Sequence, residues 1–309
     1  MESINILMTT YNGDKYIDKQ ILSIIAQTYK DWVLLMRDDG SPDNTVQIVK
    51  KFCKIDTRIK YIDDDITFHN VGAHFIYMLQ FGDAPFYCFC DQDDIWLERK
   101  LEIMLKTIKE KNNKLPQVVF SDAYLLHDKT NLIDGHLLFA QPESIRDLLF
   151  INGGIHGSAS MFNSKMKELL NIKHTYITMH DHVLTLIGCT FGQVSYIKEK
   201  LFLYRQHENN VTGNLNISLW SRLYNSFVYK KNKYTLSIHT IEGIRSFYES
   251  YQNYLNDYDK KLIDIYLRLP EESSFQRFYK IVNNGYTLNN SHLHLWIKYL
   301  SRKFVSYTE

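Results

Sequence analysis

Short apolar runs alternate with helix-like segments over the first ~120 residues, and this alternation constrains the fold more than any other feature of the sequence. Continuous apolar runs are typical of buried strands, whereas apolar residues repeating every three or four positions are typical of helices that cover a sheet. The alternation predicts an α/β fold, with a Rossmann-like, mostly parallel sheet flanked by helices. The predicted strands are residues 4–10, 32–39, 58–62, 84–94 and 117–123, and the predicted helices are 16–28, 45–53, 71–81 and 97–110.

Size and composition are those of an ordinary folded protein. A chain of 309 residues can hold one large α/β domain and a smaller appendage. Hydrophobic residues make up 45% and charged residues 23%, which predicts a packed core and not a disordered chain. The sequence has no apolar run long enough to span a membrane and no signal-peptide pattern. Its four cysteines lack zinc-ligand spacing, so we expect reduced thiols and a cytoplasmic location.

Polar residues cluster where three of the predicted strands end. The clusters are Thr9–Tyr11, Asp38–Asp39 and Asp91–Asp94. In open parallel sheets, ligands bind at the carboxyl ends of the strands, so the three clusters predict one shared site.

The cluster Asp91–Asp94 places three carboxylates within four residues. Such carboxylates repel one another unless a cation or many hydrogen bonds offset their charge. Mg²⁺ and Mn²⁺ prefer carboxylate oxygens and keep positions open for phosphate, which predicts a metal that bridges to a diphosphate. A solvated acidic turn at the start of the next helix is the alternative interpretation.

The cluster Asp38–Asp39 has a different predicted role. Asp43 and Thr45 are expected to begin the next helix, whereas Asp38 and Asp39 have no such local task. A carboxylate here can accept the N–H of a uracil- or thymine-type base or a ribose hydroxyl, and the ring of Tyr11 can stack on the base.

Three segments together resemble the nucleotide-binding half of family 2 glycosyltransferases, which have the GT-A fold. They are residues 8–29, 37–45 and 89–97, within a resemblance that covers about residues 3–125. The resemblance implies a nucleotide-sugar donor, linked to dTDP or UDP, and a saccharide acceptor. It further implies that Thr10, Tyr11 and Asp39 hold the nucleoside, that Asp91 and Asp93 form the acidic metal element with Asp93 as the ligand of Mn²⁺ or Mg²⁺, and that Asn70 lies near the donor.

Asp181 is the candidate catalytic residue. It lies at the start of a helix predicted over residues 180–188, where a carboxylate can accept the proton of an attacking hydroxyl. In the family, the matching acid has this role in a single displacement with inversion. A purely structural helix cap is the alternative interpretation, and the two roles are compatible.

Two further segments resemble relatives of the rhamnosyltransferase type. Arg205–His207, followed by Asn210–Gly213, replaces the QxxRW element of processive synthases, which argues against processive synthesis. The resemblance implies that His207 is a metal or diphosphate ligand and Arg205 a phosphate partner. The loop with Gly153, Gly154 and His156 is where the family places acceptor contacts, although a plain tight turn also fits the glycines.

These motifs favour L-rhamnose from dTDP-L-rhamnose as the donor sugar, in bacterial capsule, cell-wall or O-antigen synthesis. UDP-glucose, UDP-galactose and UDP-N-acetylglucosamine remain alternatives. A nucleotidyltransferase would carry a glycine-rich basic loop after the first strand, and residues 9–16 lack one. A non-catalytic nucleotide-binding scaffold would not need both acidic clusters and Asp181.

The sequence divides into a predicted catalytic domain, residues 1–214, and a helical, basic and aromatic region, residues 215–309. The catalytic domain has a nucleotide-sugar half (about 1–125) and an acceptor half (about 126–214), with paired strands predicted near residues 194–197 and 201–205. The C-terminal region carries 13 Lys and Arg against 8 Asp and Glu, with Trp220, Arg222, Tyr224, Phe227, Tyr229, Lys230, Lys231 and Lys233 in one stretch. It fits peripheral contact with the inner face of the cell membrane, a helical subdomain or a homodimer face; nucleic acid is not expected, because no nucleic-acid module accompanies it.

Overall fold

The structure of the protein is a computed structural model that describes residues 2–137, 141–151, 153–208, 234–288 and 290–306. Its described residues form two compact units. The first comprises residues 2–137, 155–171 and 179–208, and the second comprises the remainder. The short segments 141–154 and 172–178 therefore group with the C-terminal region, although both precede residue 214. The predicted basic stretch from Trp220 to Lys233 lies outside the described residues.

Nine strands in the described part of the first unit form one sheet, in the order β3-β2-β1-β4-β8-β6-β9-β5, with β7 paired to β6. The strands β3, β2, β1 and β4 are parallel, as the sequence predicts. Strand β8 then pairs antiparallel with both β4 and β6, so the second half of the sheet is mixed. The strands are β1 (Ile4–Thr10), β2 (Trp32–Asp38), β3 (Ile59–Tyr61), β4 (Phe86–Cys90), β5 (Ile95–Trp96), β6 (Gln117–His127), β7 (Ile133–Asp134), β8 (Ser160–Asn163) and β9 (Gln193–Gln206).

The helices of the first unit follow the predicted periodicity. Ile17, Ile21 and Ile24 of α1 are fully buried, which confirms the apolar face read from the sequence. Asn70 begins α3, since its side chain accepts the N–H of Ala73 at 2.8 Å. Asp43 accepts the N–H of Thr45 at 3.0 Å, as expected at the start of α2. The helices are α1 (Ile17–Ile25), α2 (Thr45–Ile55), α3 (Val71–Met78), α4 (Lys100–Lys109), α5 (Ser164–Leu170) and α6 (His180–Phe191).

The prediction of paired strands near residues 194–197 and 201–205 is wrong. Both runs belong to the single long strand β9, which lies parallel to β6 over almost its whole length. The pairing shifts register twice, after Ser121 and after Asp122. A β-bulge absorbs extra residues in this way without ending a strand, so the polar residues between the two runs need no turn. The antiparallel pairing of β9 with β5 then brings the end of β9 beside the acidic cluster.

The second unit contains helices α7 (Ile238–Tyr251), α8 (Asp257–Arg268), α9 (Ser274–Asn283) and α10 (His292–Ser301) in its described part. It also contains two short parallel strands, β10 (Tyr234–Ser237) and β11 (Lys303–Ser306), which the sequence did not predict. Buried aromatic residues hold this unit together, and Phe150 contacts Tyr266 and Tyr286 edge-on. Across the described ranges, no helix is both long enough and apolar enough to cross a membrane.

Candidate active site

A cleft of about 640 Å³ opens in the first unit, at the carboxyl ends of β1, β2 and β4. All three polar clusters of the sequence contribute to its wall. Of the predicted site residues, those that line it are Thr10, Tyr11, Asp39, Asn70, Asp91, Asp93, His156, Asp181 and His207. Asp38 and Arg205 are not part of the wall, and Gly153 and Gly154 belong to the second unit.

Asp38 shapes the turn after β2. Its carboxylate accepts hydrogen bonds from the hydroxyls of Thr10 and Ser41, each at 2.7 Å, and from two backbone N–H groups. The turn needs Gly40, whose φ of +88° is unfavourable for other residues. The bonds of Asp38 therefore serve this turn, and its neighbour Asp39 faces the cleft instead.

Asp39 fixes the loop that follows β3. Its carboxylate accepts the backbone N–H groups of Phe68 and His69, at 2.7 and 2.9 Å. Each carboxylate oxygen has a second lone pair, so Asp39 can still accept a bond from a ligand. The backbone N–H of Asp39 donates to the backbone oxygen of Thr10 at 2.9 Å, which joins the end of β2 to the end of β1.

Arg37 binds the same loop through Asp64 and Ile66. It is buried, and its guanidinium donates to Asp64 and to the backbone oxygen of Ile66. His74 lies 2.9 Å from Arg37 Nη1, and burial together with this cation lowers the pKa of His74 to about 4. His74 is therefore neutral near pH 7 and accepts from the arginine. Sequence reasoning assigned no role to Arg37, although it begins the segment 37–45, or to His74, because both roles depend on contacts between distant segments.

Tyr11 presents its ring at the cleft. The residue is 53% exposed, and its backbone N–H and oxygen bond to the amide of Gln92 at 3.0 and 2.8 Å. Gln92 thus ties the end of β1 to the acidic cluster. An exposed aromatic ring at this place suits stacking on a planar base.

The acids of the cluster Asp91–Asp94 have different surroundings. Asp91 and Asp93 face the cleft, whereas Asp94 is fully buried and accepts from Ser158 Oγ and from the N–H of Arg205, at 2.8 and 3.2 Å. Burial raises the pKa of Asp94 well above its usual value. Burial also raises the pKa of Asp91 to about 7, and the negative charges of Asp93 and Asp181 add to the shift. Asp181 is therefore close enough to this cluster to interact with it.

Lys100 lies beneath the cluster and was not found from the sequence. It is fully buried, donates to the backbone oxygen of Ser158, and lies 3.9 Å from the ring centre of Trp96. Burial lowers the pKa of Lys100 to about 8, although the nearby thiols and carboxylates, among them Asp94, act in the opposite direction. A buried ammonium is costly unless anions or hydrogen bonds compensate it, so Lys100 is a counter-charge for the acids above it.

His207 and Arg205 reach the cluster from the end of β9. His207 Nε2 lies 2.7 Å from Asp93 Oδ2, and its ring stacks on Tyr16 at 5.2 Å. Arg205 is 3% exposed, and its Nε donates to the backbone oxygen of Asp93 at 2.8 Å. Its Nη1 lies 3.5 Å from Asp128 Oδ1. The geometry makes Arg205 a support for Asp93, behind the wall of the cleft.

The pair Asp93 and His207 has the donor chemistry of a divalent-metal site. Nε2 of His207 and Oδ2 of Asp93 lie within hydrogen-bond distance of each other, and imidazole nitrogens and carboxylate oxygens both coordinate Mn²⁺ or Mg²⁺. Across the described residues, no three His, Cys, Asp or Glu side chains are grouped so that they could hold a metal by themselves. The two residues would therefore hold an ion only together with ligands from a diphosphate and water.

Asp181 lies in the first turn of α6, after the cap residue Met179. Within the described part of the chain, no hydrogen-bond donor reaches its Oδ1, which is buried. Burial raises the pKa of Asp181 to about 6, although the N–H groups of His182 and Gly157 act in the opposite direction. A carboxylate with this pKa, facing a cleft, is suited to take a proton near neutral pH.

The acceptor-side predictions fall in different places. His156 lines the cleft, and its Nδ1 lies 3.0 Å from Ser158 Oγ. Gly153 has a φ of +151°, a conformation that favours glycine, and the space where a side chain would begin is open. Gly154 lies beside it in the second unit, and the preceding Asn152 lies outside the described residues.

Comparisons with known proteins agree on one family. The sequence profile of Glycosyl transferase family 2 matches residues 5–169. The chain is similar to the dTDP-rhamnosyl transferase RfbG of Shigella flexneri, with 31% identity over 227 residues that cover 67% of this chain and 73% of that protein. It is also similar to the UDP-Glc:alpha-D-GlcNAc-diphosphoundecaprenol beta-1,3-glucosyltransferase WfgD of Escherichia coli, with 36% identity over 109 residues. This second match covers 35% of the chain and 42% of that enzyme.

The fold is similar to that of TarS residues 1–349 from Staphylococcus aureus, solved in complex with UDP-GlcNAc. The TM-score is 0.60 and the identity 14%, and the match covers 92% of this chain and 73% of the other. At this level of identity the likeness concerns the fold. It confirms the GT-A architecture that the sequence resemblance implies.

Proposed function

The chain belongs to glycosyl transferase family 2 and is a glycosyltransferase, and we propose that it is a metal-dependent, inverting enzyme of bacterial surface-polysaccharide synthesis. It transfers a sugar from a nucleotide-sugar donor to a hydroxyl group of a saccharide acceptor. The observation that carries the proposal is that Asp39, Asp93 and Asp181, from three distant segments, line one cleft. The catalytic domain is residues 1–214, and residues 215–309 are an accessory region.

The nucleoside and the diphosphate are held by different parts of the cleft. Asp39 and Tyr11 take the base and ribose, by a hydrogen bond and by stacking. Asp93 and His207 would hold a Mn²⁺ or Mg²⁺ ion, which would supply positive charge beside the departing diphosphate. Arg205 keeps Asp93 in place through its bond to the backbone.

Asp181 is the general base of the reaction. The acceptor oxygen forms a bond to the anomeric carbon while the bond from that carbon to the diphosphate oxygen breaks. Asp181 takes the proton of the attacking hydroxyl, and the nucleoside diphosphate leaves with the electron pair. Attack opposite the leaving group inverts the anomeric configuration.

The proposed donor is dTDP-L-rhamnose, and the support for it is the similarity to a dTDP-rhamnosyl transferase over two thirds of the chain. Inversion of a β-linked rhamnose donor gives an α-rhamnoside. A UDP-hexose or UDP-N-acetylhexosamine is the alternative, supported by the shorter match to a UDP-glucose-dependent enzyme. Inversion of those α-linked donors gives a β-glycoside.

The proposed acceptor is a saccharide carried on a lipid, as the name of that same relative describes for its own acceptor. The enzyme then works on the cytoplasmic face of the cell membrane, as a monomer or homodimer. No nucleic acid is involved.

A panel of nucleotide sugars tests the proposal. The purified full chain is incubated with each donor and a saccharide acceptor, with Mn²⁺ or with a chelator, and released nucleoside diphosphate is measured. We expect release with dTDP-L-rhamnose, dependent on metal and acceptor. Release only with a UDP-sugar would show that the proposed donor is wrong. Release that is equal with Mn²⁺ and with chelator would exclude the proposed metal dependence. Tight nucleotide binding without release from any donor would point to a non-catalytic scaffold.

A further inference from the structure

Helix α9 turns its apolar side to solvent. Phe275, Phe278, Tyr279 and Val282 follow the spacing that places residues on one helical face, and they are 46–79% exposed. The only fully buried residue of α9 is Ile281. A surface helix of a folded protein normally buries such a face against the core, so α9 is inverted relative to the usual pattern.

Helix α10 extends the same surface. The rings of Phe278 and Trp296 lie 5.0 Å apart, which joins the two helices. Leu293 and Leu300 each lie about one turn from Trp296, three residues before it and four after it, and they are 66% and 70% exposed. We call the exposed side chains of Phe275, Phe278, Tyr279, Val282, Leu293 and Leu300 the α9–α10 surface. Single exposed apolar residues are normal in proteins, but a contiguous group marks a site of interaction.

The stretch of chain that carries this surface is rich in basic residues. Residues 274–306 contain five Lys and Arg, two His and no Asp or Glu. Arg277 and Lys298 donate to backbone oxygens, which carry no net charge, and only Lys280 pairs with a carboxylate, that of Glu272. Lys303 is exposed. Glu272 offsets the charge of Lys280, and Lys298 is mostly buried, so among the described residues of this stretch the remaining positive charge comes from Arg277, Arg302 and Lys303.

We propose that the α9–α10 surface docks on an anionic phospholipid bilayer. Helices that lie in a membrane interface combine aromatic and leucine side chains on one face with Lys and Arg beside them. Aromatic rings favour the level of the lipid headgroups, and basic residues are attracted by anionic lipids. The inference rests on the proposed function in one respect: it would bring the enzyme to the surface on which a lipid-linked acceptor lies.

The charge also argues against a second copy of the chain as the occupant. A two-fold symmetric dimer places the same surface of both copies face to face. Arg277, Arg302 and Lys303, which lie within residues 274–306, would then oppose identical cations of the second copy. An anionic bilayer instead complements both the charge and the apolar side chains.

Vesicle flotation of the full chain tests the proposal, with no donor or acceptor present. We expect binding to mixed phosphatidylcholine and phosphatidylglycerol vesicles, weaker binding to phosphatidylcholine alone, and partial release as salt is raised. The triple variant Phe275→Ser, Tyr279→Ser, Leu293→Ser should bind at least about tenfold more weakly, because the apolar area is lost. The variant Lys303→Gln should lose roughly fivefold in binding and part of the salt dependence, because Lys303 is exposed.

Ile55→Ser is the matched control. Ile55 is apolar and 64% exposed on α2 of the first unit, so its variant should bind vesicles like the unchanged protein. The triple variant removes only exposed side chains and should keep its unfolding temperature and its turnover of a water-soluble acceptor.

Three results would overturn the proposal. The first is equal flotation with anionic and neutral vesicles, and the second is unchanged vesicle binding by the triple variant. The third is an unchanged protein that is dimeric in solution and does not bind vesicles, together with a triple variant that is monomeric. Failure of the donor panel would count against the proposed function and leave the flotation result standing.

Discussion

Neighbouring residues of the same type do different work in this protein. Asp38 bonds to the turn after β2 while Asp39 faces the cleft, and Asp93 faces the cleft while Asp94 is buried against Ser158. In both pairs the adjacent side chains point in different directions, so one position along the chain separates a residue that lines the cleft from one that forms a structural bond. Asp181 is the residue on which the proposed chemistry depends most directly.

Asp181→Asn should abolish most transfer and keep nucleotide binding. The amide has nearly the same shape but cannot take the proton, and general-base catalysis contributes about 10²–10⁴-fold. Turnover is measured with the donor identified in the panel, and nucleotide binding by calorimetry. Asp134→Asn, at an exposed carboxylate of β7, is the control. Full turnover by the Asp181 variant would exclude it as the base.

The pH profile should report the same group. Because burial raises the pKa of Asp181 to about 6, its basic form dominates above this pH and is lost below it. We expect kcat/KM to fall as the pH drops through about 6, by about tenfold per unit below it. The residual activity of Asp181→Asn should lack this limb; a limb of equal size in the variant would assign it to another group.

Segments of the chain position these residues through a few buried polar contacts. The loop after β3 depends on Arg37 and Asp39, and the acidic cluster depends on Gln92, Ser158 and the end of β9. None of these contacts joins residues close in sequence. The loop and the cluster are therefore held by the tertiary fold.

Arg37→Lys should weaken donor binding. Arg37 reaches both Asp64 and the backbone oxygen of Ile66, and a lysine cannot reproduce this planar geometry. Loss of one charge-assisted hydrogen bond is on the order of 1.5–3 kcal/mol, so we expect the KM for the donor to rise about tenfold or more while kcat changes little.

Arg58→Lys is the matched control, since Arg58 bonds to Asp56 and the backbone oxygen of Lys30 and is not part of the cleft. Equal effects of the two variants on donor KM would show that the loss is one of general stability and not of loop position.

In the first unit, the cleft is formed by the ends of strands that are far apart in sequence. Strand pairing of β9 with β5 and β6 brings His207 to Asp93, across 114 positions of the chain. A ligand that bridges these elements should stabilise the folded state, because it binds only when they are assembled.

Nucleoside diphosphate and Mn²⁺ together should raise the unfolding temperature more than either alone. At 100 times the dissociation constant, a ligand stabilises the native state by about 2.7 kcal/mol. Asp93→Ala should remove the contribution of the metal, as measured by calorimetry. Asp134→Ala is the control, because Asp134 forms a similar contact with His127, at 2.8 Å, away from the cleft. An unchanged metal response in Asp93→Ala would exclude Asp93 as a ligand.

The sequence alone was enough for the elements of the nucleotide-binding half and for the family. Apolar periodicity is a local property, and it predicted β1 to β4 and α1 to α4 to within a few residues. The acids at strand ends were also readable, because topology places strand ends on one edge.

Long-range packing decided the rest. Whether residues 194–205 formed two strands or one depended on β6 and a bulge, and β10 and β11 are strands only because each is the partner of the other. The register of β9 places Arg205 where it bonds to the backbone oxygen of Asp93. The packing of α4 places Lys100 where it bonds to the backbone oxygen of Ser158, near the acidic cluster. Such positions depend on contacts between residues distant in sequence, which a local pattern does not encode.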